Sequence, residues 1–155
     1  MLTVAPFAAS DAGDWDALVR RAPMGTLLHT RQFLGYHGDR LDDASLVVRD
    51  GRGRLAGVIP AAVDPGDGAR VASHPGATFG GVVHDGSLAG AAMVATFAAI
   101  AEHYRERGFE AFRYAPVPFI YHERPSADDL YALFTAGAAP ARCELSCAVD
   151  LESGP

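Results

Sequence analysis

The chain has 155 residues, about one domain at the usual ~100–200, and a domain near 150 residues hides roughly 70% of its unfolded surface. Its 13 basic residues are all Arg, 19 acidic residues bring the net charge to −6, and the pI of about 5.4 argues against an electrostatic nucleic-acid binder. A hydrophobic fraction of 49% excludes a disordered chain.

Trp15, Leu18, Val19 and Ala22 recur at i, i+3, i+4 and i+7 and predict a helix over 14–22, started by Ser10 or Asp11 and followed by Pro23. Thr30 reads as the N-cap of a short helix carrying Phe33, Leu34 and Tyr36 and closed by Gly38. The period then changes. Strands over 45–49 and 55–63 flank a hairpin turn at Asp50-Gly51-Arg52-Gly53. A second turn over 64–68 leads to a third strand at 70–73, which completes an antiparallel meander.

A glycine-rich loop over 74–81 follows. Ser87 is read as the cap of a long helix running to Arg107 and ended by Gly108, apolar on most faces and so buried on two sides. A fourth strand spans 109–115, and a proline-punctuated loop spans 116–125. Asp128 and Asp129 open a helix that runs to Ala136 and stops at Gly137, before a last strand over 143–151. A helix between the third and fourth strands makes a βαβ crossover, so those two run parallel. The order predicts an α+β fold: a mixed sheet of antiparallel meander plus crossover, flanked by helices. Residues 1–151 form a single domain and 152–155 a linker-like tail.

Cys143 and Cys147 make neither a disulfide framework nor a zinc site, and four-residue spacing in a strand reads them as small core residues on one face. No basic stretch followed by a long apolar run opens the chain, so no signal peptide is expected. The most apolar stretch, 88–101, falls short of the ~20 residues of a membrane span. A reduced, cytoplasmic protein without a membrane span is the expectation.

Four blocks in order carry a family resemblance. They are Leu28-His29-Thr30-Arg31-Gln32-Phe33-Leu34-Gly35-Tyr36-His37 with its extension to Arg40, and Ser73-His74-Pro75-Gly76-Ala77-Thr78-Phe79-Gly80-Gly81. Pro116-Val117-Pro118-Phe119-Ile120-Tyr121-His122 and Asp128-Asp129-Leu130-Tyr131-Ala132-Leu133-Phe134 complete the set. Together, over nearly the whole chain, they resemble the N-terminal half of bacterial GNAT-family N-acetyltransferases related to Fem-type peptidoglycan-bridge aminoacyltransferases. The resemblance implies a GNAT-like fold and a protein about twice this length, with a second GNAT-like domain in cis. It implies transfer of an acyl group from a thioester, acetyl-CoA or another acyl-CoA, to a primary amine. The acceptor would be a small molecule, a sugar or a peptide, including one of the cell envelope. The donor would sit mainly in the second half, while this half shapes the acceptor groove through His29, His74, Thr78, Tyr121 and His122.

The residues support this unevenly. A GNAT domain holds the CoA pyrophosphate on backbone N–H groups at a helix N-terminus, with an Arg/Gln-x-x-Gly-x-Gly/Ala signature. The stretch from Arg105 through Gly108 to Glu110 fails at the last position, and so does that from Gln32 through Gly35 to His37. The loop over 75–81 lies between a strand and the long helix, so Gly76, Gly80 and Gly81 are the candidate phosphate cradle. Tight packing is the alternative reading of these glycines, and Asp85 nearby repels a phosphate.

Among six histidines, His122 beside Tyr121 and Glu123 is the favoured catalytic set, with His74 second. A neutral imidazole can deprotonate an ammonium acceptor, and a phenol can protonate a leaving thiolate. Lining a groove or a domain interface is the alternative for each. No His-x3-His or Cys-x2-Cys spacing occurs, so no metal is expected. Two rival functions remain: a non-catalytic, degenerate GNAT module that binds a glycan, peptide or protein, and a self-sufficient small acetyltransferase working as a homodimer.

Overall fold

The computed structural model describes residues 2–145 and 147–149. Strands β1 (Thr3–Pro6), β2 (Leu46–Arg49), β3 (Leu55–Ile59) and β6 (Val83–His84) form an antiparallel sheet in the order β1-β2-β3-β6. Strands β4 (Ala62–Asp64), β5 (Asp67–Ala72) and β7 (Ala111–Arg113) form a second sheet in the order β4-β5-β7. The pair β5 and β7 is parallel, Val71 opposite Phe112, as the crossover requires.

The first sheet is buried on both faces because its residues alternate between two cores. Val47, Val58 and Val83 pack with Trp15, Leu18 and Val19 of helix α1 (Ala12–Arg21). Leu46, Val48 and Ile59 pack with Met93, Phe97 and Ile100 of helix α3 (Ala91–Glu106). The register skips Ala56 between Val48–Gly57 and Arg49–Leu55, and this bulge sends Leu55 and Ile59 to opposite faces.

Several expectations need correction. The strand over 55–63 is two strands in two sheets, broken at Pro60, which has no N–H for a ladder. Beyond the break, Ala61 N donates to Ser45 Oγ at 3.1 Å and Ala44 N donates to Ala61 O at 2.9 Å. Strand β1, only four residues long and ending in Pro6, was not expected. Asp11 precedes α1 but its carboxylate bonds backward, accepting from Ala8 N at 3.0 Å. Thr30 caps α2 (Arg31–Gly35) as expected, its Oγ1 accepting from Phe33 N at 3.2 Å, while the helix stops before Gly38.

Ser87 does not cap α3: its hydroxyl donates to Asp85 Oδ1 at 2.5 Å, and the helix begins after Gly90 at φ +52°. Burial in α3 is confined to one stripe, Met93, Thr96, Phe97, Ile100 and Tyr104, since alanines fill the exposed faces. Helix α4 (Asp128–Thr135) packs on α3 through Ala132 and Leu133. The described residues of 143–151, namely 143–145 and 147–149, lie in no strand, and Ser146, Asp150 and Leu151 fall outside the described residues. Leu145 and Val149 are 97% and 81% exposed, so the alternating pattern has no surface to bury against. Cys143 and Cys147 are accordingly free and exposed, not core.

Candidate functional site

The segments that leave β5 and β7 stay joined for a few residues. Ser73 N donates to Arg113 O at 2.8 Å and Gly80 N to Ala115 O at 3.1 Å. They then diverge, since β6 pairs with β3 while 116–122 turns away through a 3-10 turn at Phe119–Tyr121. Between them lies a cavity lined by Val82, His84, Val117 and His122, closed by Met24, Met93, Ser126 and Asp129. Its interior of about 10 Å³ admits about one water.

Hydrogen-bond partners settle how its two imidazoles present themselves. The Val117 carbonyl, 3.1 Å from His122 Nε2, only accepts, so that nitrogen carries the proton. In the neutral ring the lone pair is then on His122 Nδ1, which is buried and without a partner. His84 Nδ1 accepts from Gly86 N at 3.1 Å, which puts the proton of the neutral ring on Nε2. His84 is 4% exposed, and burial lowers its pKa against the opposing pull of Asp85, Asp128 and Asp129. Behind it, Tyr114 donates to Asp129 Oδ2 at 2.7 Å and accepts from Val82 N at 2.9 Å.

The structure scatters the other expected residues. Tyr121 is 49% exposed and its ring lies 5.2 Å from that of Phe79, outside the cavity wall. Glu123 is exposed, and its backbone N–H donates to Pro23 O at 2.8 Å. His29 is fully buried: Nδ1 accepts from Thr26 N at 3.0 Å and Nε2 donates to Gly80 O at 2.7 Å. Both its ring nitrogens are engaged, and desolvation lowers its pKa to about 4. His74 is buried at φ +44°, tilted against His37 with ring centroids 5.3 Å apart, and desolvation, then His37, lowers its pKa to about 4. Thr78 is exposed on the same loop. Sequence reasoning missed His84, Met24, Met93 and Asp129 as a wall; only the position of His84 beside the glycine loop signalled it.

The glycine loop is packed rather than open. A Cβ on Gly76 would sit 2.4 Å from the His37 ring, and one on Gly80 would sit 2.4 Å from Ser73 Oγ. Gly81 takes φ +86° with Val117 Cγ2 3.1 Å from its ideal Cβ. Four N–H groups of the loop and its exit bond to the chain itself: Ala77 to His74 O, Gly80 to Ala115 O, Gly81 to Ser73 Oγ and Val82 to Tyr114 Oη. At the start of α3, Gly90 N donates to Asp128 Oδ1 at 2.7 Å, and Ser126 Oγ donates to the other carboxylate oxygen at 2.9 Å. That bond to Gly90, first, holds the Asp128 carboxyl below its ordinary pKa. A carboxylate of this chain thus takes the place at the helix terminus where a phosphate would bind. These residues do not fit the pyrophosphate of an acyl-CoA. Among the described residues no three His, Cys, Asp or Glu side chains are grouped to hold a metal ion. No helix among them is long and apolar enough to cross a membrane.

No family model matches the chain, and no curated protein matches it. Solved structures do. The ribosomal-protein-S18-alanine N-acetyltransferase of Escherichia coli matches at 14% identity and TM-score 0.50, over 70% of this chain and 63% of that one. The chain therefore spans less than two thirds of that enzyme's length. An acetyltransferase of Trypanosoma brucei matches at 15% identity and TM-score 0.53, over 96% of this chain and 100% of that one. The chain has a GNAT-like fold. A transcriptional regulator from Bacillus halodurans C-125 aligns with it at 15% identity and TM-score 0.58, over 96% of this chain and 100% of that one. In this GNAT-like fold the histidine cavity lies where the segments after β5 and β7 part.

Proposed function

We propose that this chain is the acceptor-side half of a cytoplasmic GNAT-type N-acyltransferase. The acceptor is a primary amine of a small molecule, sugar or peptide, and the acyl-CoA is held by a second GNAT-like domain in cis. The observation that carries the reading is the pairing of Gly90 N with Asp128 at the head of α3, which leaves this half without a pyrophosphate cradle. The histidine cavity beside it supplies the acceptor chemistry. His122, with a free lone pair at Nδ1, is the proposed base that takes the ammonium proton, and Tyr121 and Glu123 flank it in the chain. His74 and Thr78 are proposed to meet the body of the acceptor, and His29 to position Gly80 from behind.

Calorimetric titration with acetyl-CoA, and with desulfo-CoA as a control, tests this. The chain alone is expected to show no saturable heat with either in a folded sample. Saturable binding of both would overturn the acceptor-side reading and favour a self-sufficient acetyltransferase.

A second reading has its own support. Phe119, Ile120, Leu130, Tyr131 and Phe134 are exposed. Such side chains suit a non-catalytic module that docks a glycan, peptide or protein. Acyl transfer restored by adding the second domain separates the two readings.

A further inference from the structure

We propose that the groove between helix α1 and the β2–β3 hairpin binds a small di- or tricarboxylate. The groove encloses about 260 Å³ and shares no lining residue with the histidine cavity. Asp14, Ala17 and Arg21 line it from one stripe of α1, and Arg49, Arg54 and Leu55 line it from the hairpin. In a chain of net charge −6, three guanidiniums here meet a single lining carboxylate.

Two of the guanidiniums are set in place by carboxylates that do not line the groove. Arg49 donates from Nη2 to Asp11 Oδ1 at 2.6 Å and from Nη1 to the Gly53 carbonyl at 3.0 Å. Arg54 donates from Nε and Nη2 to Asp50 Oδ2 at 2.8 and 2.7 Å. A guanidinium carries five N–H groups, so each keeps three for a ligand, already oriented. Arg21 forms no ion pair among the described residues, so it supplies the uncompensated charge. Leu55 is 7% exposed and Ala17 is half-buried, which gives the groove a carbon floor under its charged rim. Carboxylates on a short methylene chain match both parts. The planar carboxylates pair with the guanidinium forks, and the methylenes cover Ala17 and Leu55. Inorganic phosphate has no carbon for the floor and is too small to span the groove. Acetate has one carboxylate for three guanidiniums.

The test is NMR of the arginine Nε–H groups in the 15N-labelled full chain at pH 8. The probe is propane-1,2,3-tricarboxylate, which has no hydroxyl for Asp14; acetate and inorganic phosphate at matched ionic strength are the controls. The tricarboxylate should shift Arg21, Arg49 and Arg54 saturably and leave Arg105 of α3 and Arg113 of β7, outside the groove, unmoved. Arg21→Gln should weaken binding by about fivefold or more, and Asp14→Asn, which removes the lining carboxylate, should tighten it by about twofold. Absence of saturable shifts in the folded wild-type chain, shifts that extend equally to Arg105 and Arg113, or equal binding of acetate or phosphate overturns the proposal. So does an Asp14→Asn chain that binds no tighter than the wild type. Both substituted side chains are exposed, and the wild-type titration stands without either variant.

Discussion

His29 ties the loop after α1 to the glycine loop. It is buried, with Thr26 N–H on one nitrogen and the Gly80 carbonyl on the other. Substituting His29→Phe leaves both backbone groups without their partner, so unfolding free energy should drop by about 2–4 kcal/mol in urea titration. The same residue sets an acid limb. Its folded pKa of about 4 lies below the ordinary 6.5, so between those values the unfolded chain binds a proton that the folded chain refuses. Stability is therefore full above pH 6.5 and falls as pH drops toward 4, by about 3 kcal/mol from this group. His74 acts in the same direction. Melting temperature should fall from pH 7 to pH 4.5 in the wild type and fall less steeply in His29→Phe. An identical slope would mean that His29 does not carry this limb.

At the scale of elements, the head of α3 is held from α4. Asp128 reaches across 38 residues to the N–H of Gly90, the residue at which α3 starts, so it joins the two helices. Asp128→Ala should cost about 1 kcal/mol, read as a lower urea midpoint with an unchanged m-value. Asp128→Asn retains an acceptor oxygen and should recover most of that loss. Equal loss in both would assign the effect to charge instead of the hydrogen bond.

This bond also marks the limit of what the sequence could reveal. Asp128 was legible as a helix opener; that it would open a different helix was not, because a contact over 38 residues leaves no periodic trace. The hairpin at 50–53 and the Thr30 cap were legible because turn residues and capping hydroxyls act within four positions, and the crossover because a helix between two strands brings them parallel. The break at Pro60 was visible as a residue but not as a change of sheet, since apolar side chains continue on both sides of it. Of the two histidines that line the cavity, His122 stood out in the sequence beside Tyr121 and Glu123, whereas His84 had no such neighbours to single it out.

For the whole molecule, the two cores share one sheet. Val47 lies in the core with Trp15, while its neighbours Leu46 and Val48 lie in the core with α3. A strand cannot release one face and keep the other, because successive side chains alternate across the same backbone. Loss of α1 would expose Val47, Val58 and Val83 on strands whose opposite faces remain packed, which raises the free energy of any half-unfolded state. Trp15 is the single tryptophan and sits wholly in the α1 core, whereas far-UV circular dichroism is weighted to α3, the longest helix, in the other. The two signals thus report opposite sides of the sheet. Their urea transitions should coincide in midpoint and slope. If the Trp15 transition comes first, α1 and the loop to α2 form a unit that opens alone. His29 and the glycine loop would then open with it, along with the wall of the histidine cavity at Met24.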